Sequence, residues 1–265
     1  MASLKLSLLV FHQLLLVLSV FERATAQGLK LGFYQRSCPS AETVIKRTTS
    51  QYISRVPTLA APLLRLHFHD CFVRIYGPSW DVPTGRRDGK VSTSLEALTN
   101  LPPPFANITI LKSMFATKGL NVKDLVVLSG GHTIGRSGCA AFNNRLYNFT
   151  GKGDADPSLD PNYAATLRKK CGPTDFTTRV EMDPGSFKSF DNDYYTIVAK
   201  RRGLFQSDAA LLDDPNTKSY VKEQATSQKP SFAKDFAVSM VKMGKIGVLT
   251  GNSGEIRKHC AFVNH

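Results

Sequence analysis

The chain has 265 residues, 42% of them hydrophobic, and its 34 Lys and Arg against 21 Asp and Glu give a formal net charge of +13. That length is enough for one large domain or for two lobes about a cleft, and does not choose between them. The basic excess favours acidic polysaccharide or membrane surface as surroundings. The Lys and Arg residues form no tracts with interleaved aromatics, so nucleic acid is not the expected partner.

Residues 6–20 (LSLLVFHQLLLVLSV) form an apolar run after Lys5 and before the small residues Ala24-Thr25-Ala26. This is the layout of a secretory signal over 1–26 with cleavage before Gln27. The alternative, a membrane anchor, is disfavoured because the run is short for a bilayer span, and no later segment is apolar enough to cross. Removing the leader deletes Lys5, Glu22 and Arg23, lowering the charge to about +12 over about 239 residues, 27–265. Asn107-Ile108-Thr109 and Asn148-Phe149-Thr150 are acceptors for N-glycans in an exported chain. The five cysteines are Cys38, Cys71, Cys139, Cys171 and Cys260, an odd number, so at least one thiol has no partner within the chain.

In chain order, Ser40 is a candidate N-cap for a helix carrying Val44, Ile45, Thr48 and Tyr52 on one stripe. A second helix is expected to carry Leu63, Leu64, Leu66, Phe68 and Phe72 around an Arg65/His69 face. A short connection, Arg74-Ile75-Tyr76, follows Phe72-Val73. The apolar run Asp124–Ser129 reads as helix. Asp160-Pro161 places a capping residue before Pro at the first helical position of a segment running towards Lys170. Asp191 to Arg202 is predicted to end at Gly203, and Ser231 to Met243, apolar at 232, 236, 240 and 243, before Gly244. Strand-like alternation is sparse, which predicts an all-α or mostly α protein.

Arg65-Leu66-His67-Phe68-His69-Asp70-Cys71 and Gly130-Gly131-His132-Thr133 carry the chemistry. Four residues apart on a helix, Arg65 and His69 project from one face, where a cation and an acid/base group can act on one small molecule. Heterolytic cleavage of a peroxide needs a proton moved from the near oxygen to the far one and a positive charge beside the developing anion, which suit His69 and Arg65. A blander reading makes His69 an edge residue and Arg65 a partner of some carboxylate. His67, His69 and Asp70 also admit a zinc reading, but on a helix positions 67 and 69 lie roughly 200° apart and cannot share an ion. His132 is a candidate axial ligand. Gly130-Gly131 either lets a flat macrocycle approach the backbone or simply ends a helix. A histidine ligand also needs its second ring nitrogen held by a carboxylate, and spacing alone does not identify which.

LRLHFHDCFV, GPSWDVPTGRRDG, LPPPF, DLVVLSGGHTIGRSGC, RLYNF, FDNDYY, GLFQSD and GNSGEIRKHC, in this order from Cys38 to Cys260, resemble the class III secretory plant peroxidases. The resemblance implies an all-α, two-lobed fold holding haem b, with hydrogen peroxide reduced while phenolic donors are oxidised, in a secreted monomer. It makes Arg65 the transition-state stabiliser, His69 the distal acid/base and His132 the iron ligand. Asp208 becomes the carboxylate behind His132, and Pro102 lines the donor site. Thr133, Asp183, Ser186 and Asp191 become a proximal calcium site, with Ser189 a carbonyl donor; such an oxygen-rich set suits calcium. Cys139 and Cys171 become a disulfide.

Against the family pattern roughly 65 residues are missing after Val73, enough for several helices of average length. The resemblance assigns to that stretch most distal calcium ligands, leaving Asp70 and Val73 as a remnant, and the residues that orient the distal histidine. It also assigns to it the partners of Cys38, Cys71 and Cys260. Each lost bridge costs about 2–5 kcal/mol, so the sum rivals a domain's whole margin of stability. Beside the peroxidase reading stands a catalytically impaired chain that binds acidic wall polymers through its charge, with zinc hydrolysis a distant third.

Overall fold

A computed structural model describes residues 28–70 and 81–264, with the backbone alone for 66–70. The expected signal segment, Cys71, Val73 and the Arg74-Ile75-Tyr76 connection lie outside the described residues. The remainder falls into two compact units. The smaller takes in 28–39, 81–93 and 247–264, held by isolated bridges pairing Lys30 with Thr84, Arg87 with Leu249 and Asp88 with Glu255. Asp88 fastens it further, its carboxylate accepting from the Arg257 N–H at 2.8 Å.

The larger unit is helical. It contains α1 (Ala41–Arg55), α2 (Ala60–Asp70), α3 (Ser94–Asn100), α4 (Ile108–Thr117), α5 (Val122–Ser129), α6 (Asn143–Tyr147), α7 (Pro161–Arg168), α8 (Asp193–Ala199), α9 (Gln206–Ala209), α10 (Pro215–Thr226) and α11 (Phe232–Met243). Strand among the described residues is confined to an antiparallel ribbon of β1 (Arg136–Gly138) and β2 (Arg179–Glu181). The all-α expectation therefore holds.

Two sequence signals at α1 fail. Ser40 precedes the helix with φ −89° and ψ −9° and makes no side-chain capping bond. A capping residue must be extended for its oxygen to reach back to the first free N–H groups, and Ser40 is already helical. The stripe of Val44, Ile45 and Tyr52 is exposed, and Ile53 is the residue of this helix that is buried. Among the described residues nothing covers that stripe.

Elsewhere the end signals act as read, or act differently for an identifiable reason. Asp160 caps α7 as read, accepting from the Tyr163 N–H at 2.9 Å, and Asn107, read from sequence only as a glycan acceptor, caps α4 by accepting from the Ile110 N–H at 2.9 Å. α8 stops earlier than expected, at Ala199, and the left-handed position after it is taken by Arg201 (φ 58°). Gly203 is needed for a different reason: a Cβ there would stand 2.6 Å from Asp208 Cβ. α5 ends at Ser129 with Gly130 as its C-cap, and the chain runs on as a 3-10 turn over Gly130–Thr133. A Cβ at Gly130 would meet the Tyr195 hydroxyl and come within 2.5 Å of Phe232 Cε2, so helix packing dictates this glycine.

One core cluster joins α4, α5, α8, α10 and α11 through Leu111, Leu125, Val127, Tyr195, Val221, Phe232 and Phe236. Each such side chain contributes about 1.5–3 kcal/mol by leaving water. A second surrounds the Cys139–Cys171 disulfide with Phe142, Leu146, Leu167, Val180 and Leu204. Its 32-residue separation gives about 3.7 kcal/mol of stabilisation in the chain-entropy account.

Asp124 ties the start of α5 to α11. It accepts from its own capping partner, the Asn121 N–H, at 3.0 Å, from the Ser239 hydroxyl at 2.8 Å and from Lys242 Nζ at 2.9 Å. Burial works to raise its pKa, but Asn121, Lys242 and Ser239 together outweigh burial and hold it below the ordinary 3.8. A depressed carboxylate stabilises the fold above its unfolded pKa and loses that contribution as pH falls through the folded value. Asp124→Ala is therefore expected to cost about 2–3 kcal/mol at pH 7, a range discounted for the half-exposed Lys242. Urea unfolding at pH 7 and at pH 3 should show the deficit shrinking at the acid end.

Candidate active site

The 3-10 turn after α5 presents two neighbours, His132 and Thr133, to two different polar clusters. His132 Nδ1 lies 2.8 Å from Asp208 Oδ1. Asp208 is buried, 1% exposed, and is supplied by three elements. Oδ1 also accepts from the Tyr194 hydroxyl of α8 at 2.9 Å, and Oδ2 accepts from the Phe205 N–H at the start of α9 at 2.8 Å. Burial alone would raise this carboxyl, but His132 first, then the Phe205 N–H and the Tyr194 hydroxyl, hold it below the usual carboxylate range. The same contact, with burial acting first, pushes the Tyr194 phenol far up, so that it remains a donor.

An ionised Asp208 can only accept, so the hydrogen of the imidazole is on Nδ1 and the Nε2 lone pair is left for a ligand. The ring is not sealed in: its side chain is 36% exposed, whereas that of Asp208 is 2% exposed. Phe205 meets it edge to face at 5.1 Å between centroids, fixing the plane of the ring. A metal ligated by histidine wants this arrangement, one nitrogen anchored to a carboxylate and the other open.

Thr133 is wholly buried and faces two carboxylates. Its Oγ1 lies 3.2 Å from Asp183 Oδ2 and 3.0 Å from Asp191 Oδ1. One hydroxyl hydrogen cannot satisfy both. Ser186 donates to the other oxygen of Asp191, and the Ser189 N–H donates to the Ser186 carbonyl at 2.7 Å. Asp183 is pushed up to about 7, chiefly by burial and further by the negative charges of Asp191 and Asp193, against the opposing Thr133 bond. Among the described residues no group of three or more His, Cys, Asp or Glu is placed to hold a metal. An ion bound here therefore relies on hydroxyl and carbonyl oxygens beside two carboxylates, a hard donor set that fits calcium.

α2 is helical throughout, so positions 65 and 69 are one turn apart. Arg65 is exposed; the side chains of His69 and Asp70 lie outside the described residues. α2 reaches the His132 turn through Leu64, which would touch a Cβ at Gly131 at 3.5 Å, and through Ala61, which would meet one at Gly135 at 2.8 Å. Pro102 is half-buried in a segment whose Pro104 carbonyl accepts from the Ser207 N–H at 2.9 Å. That bond fixes the segment beside Asp208. Asn107 and Asn148 are both exposed; the Asn148 carboxamide oxygen accepts from the Gly153 N–H at 2.9 Å. Cys38 and Cys260 are exposed free thiols.

A family model described as Peroxidase matches residues 74–227. Peroxidase 27 of Arabidopsis thaliana is 50% identical, with 97% of this chain and 98% of that protein aligned. The chain belongs to the class III plant peroxidases. Peroxidase 56 of Arabidopsis thaliana is 48% identical with both chains aligned in full, and Peroxidase 1 of Oryza sativa subsp. japonica is 44% identical over 94% of this chain and 97% of that protein. The Peroxidase 56 alignment extends over 329 positions while taking in all of a 265-residue chain. About 64 of its positions thus have no counterpart in this peroxidase.

Reading the sequence missed Tyr194, Phe205 and Gly203. Each sits inside a motif that was visible, FDNDYY or GLFQSD, but its purpose is to hold Asp208, which lies 14, 3 and 5 positions from Tyr194, Phe205 and Gly203, against His132, 76 positions before it. The Asp208 arrangement makes a definite prediction. Asn at 208 keeps the shape but has one acceptor atom for donors on two sides, so a buried donor is left unpaired. Asp208→Asn should cost about 1–3 kcal/mol, and nitrogen NMR of His132 should show the hydrogen leaving Nδ1 for part of the population.

Proposed function

We propose that this chain is a secreted haem peroxidase that reduces hydrogen peroxide while oxidising phenolic donors. The observation that carries the reading is His132, its Nδ1 held by buried Asp208 and its other nitrogen open, beside a helix bearing Arg65 and His69 one turn apart. His132 would hold haem b, which would supply an iron centre and the two electrons needed to reduce peroxide, restored one at a time by two donor molecules.

The protein's part is to move protons and stabilise charge. His69 takes the proton from the nearer peroxide oxygen and returns it to the farther one, so that water leaves instead of hydroxide. Arg65 stabilises the negative charge that grows on the departing oxygen. Asp208, by drawing on the Nδ1 hydrogen, raises the basicity of His132 and favours oxidised iron. Pro102 lines the approach of the donor. Thr133, Asp183, Ser186 and Asp191 hold calcium, and Thr133, adjacent to His132, passes the order of that site to the ligand turn. Asp70 and Val73 are what this chain retains of a distal calcium site. The positions without counterpart fall after Val73, and the charge of about +12 after removal of residues 1–26 favours retention on acidic wall polysaccharide.

Expressed with haemin and calcium under oxidising conditions, the protein should show a Soret band and turn over guaiacol, and His132→Ala should lose the band. Arg65→Leu and His69→Leu should each slow the peroxide step at least about 100-fold while leaving the band in place. A wild-type protein that takes up no haem would overturn the reading.

Chelation should separate the calcium assignment from folding in general. At calcium about a hundredfold above its Kd the bound ion adds about 2.7 kcal/mol. EGTA should lower the wild-type melting temperature by several degrees, and Thr133→Val together with Asp183→Asn should abolish that response.

A further inference from the structure

Arg145 lies in the RLYNF motif, and its guanidinium is among the largest fully buried groups among the described residues, with the side chain 1% exposed. Nε donates to Asp156 Oδ2 at 2.7 Å, and Nη2 to the Ser158 hydroxyl at 3.2 Å. Nη1 faces three consecutive carbonyls, those of Gly203, Leu204 and Phe205, at 2.7, 3.0 and 2.9 Å. A staple for a loop could stop there. The second of these carbonyls, however, shares its peptide group with the Phe205 N–H.

That peptide is trans, so its C=O and N–H point in opposite directions. On one side Arg145 Nη1 donates to the Leu204 oxygen, and on the other the Phe205 N–H donates to Asp208 Oδ2 at 2.8 Å. Asp208 Oδ1 then accepts from His132 Nδ1 at 2.8 Å. The absence of a side chain at Gly203 gives Asp208 its place, since a Cβ there would stand 2.6 Å from Asp208 Cβ. A guanidinium, one peptide, a carboxylate and an imidazole thus form an unbroken line, buried from Arg145 to Asp208 and ending on the partly exposed ring of His132.

We propose that Arg145 is a positioning residue for the peroxidase centre: by polarising the Leu204–Phe205 peptide it strengthens the N–H that Asp208 accepts, and so limits how strongly Asp208 draws on the Nδ1 hydrogen of His132. Bonds in series polarise one another, by about 10–30% per bond in condensed-phase estimates. Asp156 shares the charge of Arg145 and so sets how much of it acts on the carbonyls. This deepens the reading of His132 as a ligand and rests on it for its effect on iron, but the relay itself is a property of the protein without haem.

The test is proton and nitrogen NMR on the full chain, first without haem. In Arg145→Lys the fork is lost, the Phe205 amide proton should move upfield and the His132 Nδ1 proton downfield. In Asp156→Asn the charge of Arg145 is no longer shared, and both shifts should reverse. A staple predicts something else: loosening the loop weakens both bonds and moves both protons upfield in either variant. Shifts of one sign at the two protons, or folded variants with neither shifted, overturn the proposal. Should the variants not fold, hydrogen–deuterium fractionation at the wild-type Phe205 amide decides; the proposal requires a value displaced from that of ordinary helix-terminal amides, and an ordinary value overturns it. With haem loaded, the iron midpoint potential should fall in Arg145→Lys and rise in Asp156→Asn. If no haem is taken up, the functional reading fails while the NMR result still decides the relay.

Discussion

A single ionised carboxylate, buried where burial alone would neutralise it, is the constraint on which the rest of the site depends. Asp208 remains charged because three donors reach it from three elements: His132 after α5, Tyr194 in α8 and Phe205 before α9. An uncompensated buried carboxylate would take up a proton instead. The donors must therefore arrive together, so the mutual placing of α5, α8 and α9 and the ionisation of Asp208 are one condition. The hydrophobic cluster of Leu125, Tyr195, Val198 and Phe232 brings α5 and α8 together, and the bonds to Asp208 fix the register within that packing.

His132 and Thr133 being adjacent gives the turn a second obligation. One residue answers to Asp208, and the next to Asp183 and Asp191. These are opposite electrostatic situations. Around Asp208 the donors outnumber the acceptor groups and the charge is stabilised, whereas around Thr133 two carboxylates compete for one hydroxyl hydrogen and burial drives Asp183 up to about 7. The cation proposed for this site would resolve the second conflict and tighten the turn that carries His132. The sequence of four residues, Gly130-Gly131-His132-Thr133, thus couples two sites without any residue shared between them.

What could be read from sequence follows from the range of the interactions involved. Helix type, the Asp160 cap and the apolar face of α11 depend on neighbours within a turn or two, and local pattern shows them. The motif residues were legible because their types and order match a family. Gly203 was misread because its role is set by Asp208, folded back against it; from sequence a glycine after a basic helix end looks like a terminator, and Arg201 takes that conformation instead. At Gly130 the helix end was legible, but the packing demand was not, since Tyr195 and Phe232, which forbid a Cβ there, are 65 and more positions away. The stripe on α1 shows the limit from the other direction: periodicity announces a face to be buried, and nothing local says whether a partner exists.

The two sides of the proposed centre therefore stand on different footings. Among the described residues, His132 is oriented by Asp208, Tyr194 and Phe205 and, through the Leu204–Phe205 peptide, by Arg145. None of them depends on the positions that Peroxidase 56 has and this chain lacks. α2 carries Arg65 and position 69 on a rigid helix anchored to the His132 turn by Leu64 and Ala61, so helical register alone keeps those two positions one turn apart. A histidine acting as acid and base needs more than register, because its ring must also be turned to the right nitrogen, and that takes a partner at the ring's far side. His132 has such a partner in Asp208, and its readiness as a ligand is built into the packing of the helical unit.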